Sequence, residues 1–202
     1  MVGRYQFLVD TYATEILKVL SVWATAADAD LDVRPRAGDR RGRTLREHMI
    51  HQCQSEHGWF TSMFAIEAPG EVLPEESTRL AFASHYATAA EFRRACLAEQ
   101  EDAWWETEVA FFEVKRPRTW VMVRRIAHTA HHRGQQTALL RQRGCFLHST
   151  YGPTADTGGL AKDKPPVIYA YPDAPALLAG EAFGGDKAPL PPPVQRPVTE
   201  RP

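Results

Sequence analysis

The chain has 202 residues, 44% of them hydrophobic and 24% charged. That length suits one domain with an extension, and that mix supports a core and excludes wholesale disorder. Lys and Arg number 24 against 25 Asp and Glu, a net charge of −1, so no global field draws the chain to nucleic acid.

No apolar run approaches the ~20 residues that span a bilayer. The start, Met1 to Gln6, has no basic-then-apolar leader. The expectation is therefore a protein with neither a nucleic-acid nor a membrane partner. Cys53, Cys96 and Cys145 lie far apart and are odd in number. They make no disulfide framework and suit a reducing cytoplasm.

The first 145 residues read as four helices. The first runs from about Arg4 to Ala27, with Leu8, Tyr12, Ile16, Val19, Leu20 and Trp23 on one stripe. Asp28 to Arg43 is a polar loop with Pro35, Gly38 and Gly42. It carries five arginines, Arg34, Arg36, Arg40, Arg41 and Arg43. These read as a solvated loop, with an anion-binding edge as the minor alternative. The second helix opens on Thr44-Leu-Arg-Glu47, a capping box. It continues to about Ile66, before Pro69-Gly70.

The third helix is expected from about Ser77 to Trp105, with Leu80, Phe82, Tyr86, Phe92 and Leu97 as core. Glu106 to Arg118 admits a helix end, a short extended piece or a buried connection. The fourth helix runs from about Thr119 to Arg143 and ends on Arg141-Gln-Arg143-Gly144, cations at the negative dipole end and then a residue tolerant of positive φ. Gly134 lies inside it. There a glycine costs about 1 kcal/mol relative to alanine, so close approach of a neighbouring helix is expected, beside Ala127, Ala130 and Ala138. Helices of this length pack naturally as a four-helix bundle.

Four prolines precede residue 150 and eleven follow it. The composition thus divides the chain into a helical bundle, 1–145, and an irregular Pro/Gly-rich extension, 146–202. Val167-Ile-Tyr-Ala-Tyr171 is too apolar for a solvated tail. An ordered strap is expected, on its own bundle, on a second subunit or over a pocket, with a mobile end from about Pro189.

The densest chemistry is His128-Thr-Ala-His131-His132-Arg133-Gly134-Gln135. His128 and His132 are one helical turn apart, the spacing by which two imidazoles share a metal ion. A third ligand must come from another helix. The second helix offers His48, His51 and His57, and spacing alone does not choose between His48 and His51. His85 and His148 are weaker candidates.

Together these residues resemble the DinB/YfiT-like family of metal-binding four-helix bundles. The matching segments are His51-Gln-Cys-Gln-Ser-Glu56-His-Gly-Trp59 and His128-x-x-x-His132-Arg133-Gly134-Gln135. The resemblance covers roughly residues 1–145 and selects His51 as the third ligand beside His128 and His132. It implies an all-α bundle in up-down-down-up order, a divalent metal such as zinc or nickel, and a homodimer. It also implies either thiol-dependent S-transfer with a low-molecular-weight thiol or hydrolysis of a small-molecule substrate. A non-catalytic, damage-inducible interaction protein is the alternative.

Three neutral imidazoles leave an ion's charge largely uncompensated, suited to activating water or a thiol. Gln135 and Glu47 are the candidate catalytic partners. Arg124, Arg133 and Trp59 are candidate substrate contacts. Glu56 lies about 140° round the helix from His51 and is expected to point away. Cys53, about 160° from His51, reads as a core cysteine rather than a nucleophile.

Overall fold

The computed structural model describes residues 3–159 and 164–192. It is mostly helical. Among the described residues are six α-helices: α1 (Gln6–Thr25), α2 (Leu45–Trp59), α3 (Arg79–Ala98), α4 (Asp102–Glu106), α5 (Arg118–Gln142) and α6 (Ala174–Ala182). A two-stranded hairpin, β1 (Glu108–Phe111) and β2 (Val114–Pro117), precedes α5. Helix α1 packs against α3 and α5, and α2 packs against α5 and α3. No described helix is long and apolar enough to cross a membrane.

Helix α1 buries the stripe its periodicity predicts: Leu8, Tyr12, Ile16, Val19, Leu20 and Trp23 are all in the core. The capping box at α2 is formed. Glu47 N–H donates to Thr44 Oγ1 at 3.0 Å, and Thr44 N–H donates to Glu47 Oε2 at 2.8 Å, satisfying two backbone donors that a helix start leaves unpaired. A wider turn, Phe60–Phe64, extends α2, and Ala65 closes it in the left-handed conformation, φ 55°. Helix α5 ends as expected, with Gly144 at φ 78°.

Several expectations are corrected. The third helix stops at Ala98, and α4 is separate. Phe92 is 39% exposed rather than core. The segment after Glu106 is a hairpin, so the chain is not purely helical. Its strands pair Glu108 with Pro117 and Phe111 with Val114. The two-residue link holds Phe112 at φ 52°, a conformation that hairpins usually give to glycine or asparagine. Gly134 meets no neighbouring helix, since a Cβ there would have open space around it. Ala127 and Ala138 are exposed as well.

The extension lies on the chain's own helices. Helix α6 packs on α1 and α3, and Ala170, Tyr171 and Leu177 join the core. Tyr171 Oη donates to Glu181 Oε1 at 2.6 Å, and Arg79 and Lys187 each pair with Glu181 at 2.6 Å. Gly180 is needed for this fit: a Cβ there would sit 2.6 Å from Tyr171 Cε1. The backbone joins in, with Ser149 N–H donating to Ile168 O at 2.8 Å and Ala188 N–H to Ala170 O at 2.9 Å. The strap therefore rests on α1 and α3, which carry none of the three clustered histidines. The expected mobile end falls mostly on residues 193–202, outside the described residues.

Candidate metal centre

Helices α2 and α5 bring His51, His128 and His132 together. One ligand nitrogen from each lies within 4.8 Å of the others. His128 Nε2 and His132 Nε2 are 3.2 Å apart. Two imidazoles sharing an ion at about 2.0–2.1 Å in tetrahedral geometry keep their nitrogens about 3.3–3.4 Å apart, so the pair already has nearly that spacing. The His51 ring centroid is 4.5 Å from that of His132 and 5.5 Å from that of His128.

The electrostatics keep these rings neutral. Burial lowers His132 to about 3, reinforced by His128, His51 and His48. Burial, followed by the positive charge of Arg125, lowers His128 to about 4. His51 is lowered by burial and then by Arg43 and Arg125. An unprotonated imidazole is the form that binds a metal. Gln135 orients one ring, its Oε1 3.2 Å from His132 Nδ1. With the Nδ1 proton donated to that oxygen, the Nε2 lone pair is left toward the cluster. The donor set, three neutral imidazoles with open positions, fits a divalent ion.

Trp59 walls one side. It stacks on His128 at 5.7 Å, with Phe111 and Phe112 of the hairpin edge-on to it at 5.3 and 6.4 Å. On the other side His48, only 4% exposed, lies 5.5 Å from His132. Burial lowers His48 to about 4, with Arg43 and then His51 adding to it.

Other expected site residues sit elsewhere. Glu47 spends its carboxylate on the cap and on Arg34, which donates to both oxygens at 2.6 and 2.9 Å. Arg133 is a correction: it is buried and paired with Glu15 of α1, so a substrate cannot reach it. Arg124 is exposed on α5. Glu56 is fully buried in the core, and Cys53 is buried, its thiol pushed up to about 12 by desolvation with Glu56 adding. His85 and His148 hydrogen-bond to the carbonyls of Val72 and Ala188.

Two features escaped the sequence reading. Arg125, 1% exposed, reaches Ser55 and Thr129 at 3.1 Å each and lies 5.6 Å over the Trp59 ring. Three residues before His128, it lies on the buried side of α5, while its neighbour Arg124 is exposed. Gln136 accepts from Trp23 Nε1 at 2.8 Å and donates to Gln52 Oε1 at 2.6 Å, a buried amide relay behind His132. Glutamines at positions that fit the buried stripes of α2 and α5 were the available signal.

Helical elements of this order, with three convergent histidines on two of them, define a helical protein with a candidate divalent-metal centre. A sequence model of the DinB family matches residues 19–159, and the chain belongs to that family. Its fold is similar to that of a DinB-like protein from Bacillus cereus ATCC 10987, with TM-score 0.62 and 21% identity over 75% of this chain and 100% of that one. It is also similar to a DinB-like protein from Bacillus subtilis, with TM-score 0.53 and 14% identity over 68% and 92%. No curated protein sequence matches the chain.

Proposed function

We propose that the chain is a divalent-metal-dependent enzyme with His51, His128 and His132 as ligands, built on a four-helix bundle in up-down-down-up order. The convergence of the three ligand nitrogens within 4.8 Å carries this reading. A bound zinc or nickel ion would supply Lewis acidity, making water or a low-molecular-weight thiol nucleophilic near neutral pH. The chain's own residues do the rest. Burial holds the ligands unprotonated, Gln135 fixes the His132 tautomer, and Trp59 with the hairpin aromatics shelters one flank. S-transfer or hydrolysis of a small molecule in the cytoplasm, by a homodimer, completes the proposal.

A non-catalytic interaction module, the alternative, would use the extension as its contact surface. Part of the extension is already occupied, because Tyr171 and Leu177 are in the chain's own core, while Tyr151, Val167 and Phe183 are exposed. Metal analysis of purified protein is the test. One divalent ion per chain is expected, lost in His51→Ala, His128→Ala and His132→Ala. A wild-type chain that neither retains nor takes up zinc or nickel overturns the proposal.

A further inference from the structure

A cavity of about 270 Å³ opens beside the histidine cluster, between the arginine loop and α5. Arg41, Arg43, His48, Gln135 and Gln142 supply its polar lining. Three observations bear on its occupant. First, His48 forms part of the wall between the cavity and the His132 ring. Second, the Arg43 side chain, like those of Arg36 and Arg40, makes no hydrogen bond or ion pair among the described residues, and of these three only Arg43 lines the cavity, whereas Arg34 and Arg41 are each held by a carboxylate. Third, the nearby acids are already used. Asp39 takes two side-chain hydrogen bonds from Arg41, and Glu47 takes two from Arg34 and one from Thr44 N–H.

The cavity thus has an unpaired guanidinium and two amides in its lining, and no free carboxylate. Guanidinium groups match carboxylate and phosphate oxygens in geometry. The volume is just below the roughly 300–1,000 Å³ of pockets that enclose drug-sized ligands, so it suits one polar end of a molecule rather than a whole one. We infer that this cavity binds the carboxylate or phosphate group of a small anionic substrate, with Arg43 as its charged contact, and so places the rest of that substrate at the histidine cluster. The cavity borders the cluster through Gln135, which contacts His132, and through His48, which faces the same ring. The inference deepens the proposed function and relies on it for what happens at the cluster, but not for the anion site itself.

The test is calorimetric titration of the full-length protein, stripped of metal by a chelator and dialysed, with succinate and with inorganic phosphate. Stripping the metal prevents an ion from supplying the anion affinity. Saturable one-to-one binding of at least one probe at millimolar concentration is expected, and the probe that binds names the anionic group. Arg43→Gln is exposed and should fold; it should weaken binding about tenfold or more, the size of a lost charge-assisted hydrogen bond. Arg40→Gln removes the same charge from the same loop without lining the cavity, and should match the wild type. Absence of saturable binding by either probe overturns the inference, as does an equal loss in Arg40→Gln and Arg43→Gln. A chain that takes up metal but neither anion defeats this inference alone. A chain that shows Arg43-dependent anion binding but no metal uptake defeats the metal reading alone.

Discussion

Two polar clusters tie α2 to α5, and they are built in opposite ways. At Glu56 one buried carboxylate is shared by two hydroxyls and two guanidinium groups. Tyr12 donates to it at 2.5 Å and Tyr86 at 3.0 Å, while Arg93 and Arg125 stand 3.3 and 3.5 Å away. Burial, with Glu56 adding, raises both tyrosine hydroxyls well above their usual range, so they stay donors. One turn along α2, the histidine cluster has neutral nitrogens facing one another and no anion among them. A closed polar network holds a fold together. An open one, with lone pairs converging on a point, is arranged for something the chain itself does not provide.

The largest expected effect breaks the closed cluster. Glu56→Ala leaves Arg93 and Arg125 buried without a counter-charge, and loss of one partner from such a pair costs about 3–5 kcal/mol. Urea unfolding of Glu56→Ala should show that loss, or the variant should fail to fold. A loss below about 1 kcal/mol, the range of exposed pairs, would mean that the network is not structural.

The open cluster should contribute stability only when loaded. An ion at a thousand times its Kd adds about 4 kcal/mol. A chelator should therefore lower the wild-type melting temperature and leave that of His128→Ala unmoved. Equal shifts in both would deny the ligand set.

Gln135→Ala sharpens the same contrast with a smaller effect. Loss of a group that orients a metal-binding histidine typically weakens metal affinity 10–100-fold. A competition titration with a chromogenic chelator reads it, and unchanged affinity would reduce Gln135 to a bystander.

The two clusters also differ in how legible they are. The histidines announce themselves, since an i, i+4 pair on a helix sets two imidazoles on one face by spacing alone. The third needed family resemblance, because His48 and His51 are about 60° apart on α2 and only packing decides which one turns into the cluster. The cap at Thr44 and the stop at Gly144 are local and were readable. Glu56 was readable only as pointing away. Its partners come from α1, α3 and α5, between 30 and 69 residues distant, and no local pattern encodes such a meeting. Arg125 was missed for a related reason: adjacent arginines differ by about 100° round the helix, and the candidate Arg124 is the one that faces solvent. The hairpin was ambiguous because Phe112-Glu113 lacks the Asn-Gly type of turn signal. The Gly134 expectation failed because a small residue permits a close approach without requiring one. The strap's apolar patch predicted docking, but its seat on α1 and α3 depends on contacts such as Arg79 with Glu181, about a hundred residues apart.

Acid should produce the smallest and most diagnostic difference. In the folded, metal-free chain burial lowers His132 to about 3 and His128 and His48 to about 4, against about 6.5 in the unfolded chain. Below pH 6.5 the unfolded state therefore binds protons that the folded state refuses, and stability falls with pH. The loss begins near 6.5, grows down to about 4, and levels off once the folded rings also protonate. His51 and His128 are only partly buried, so solvent screening keeps each contribution modest. The midpoint of urea unfolding of metal-free protein, followed from pH 7 to 4, should fall less steeply in His128→Ala than in the wild type, because one proton-refusing ring is gone. Parallel slopes would mean that the folded histidines titrate normally. Burial would then not be what keeps the cluster ready for a metal.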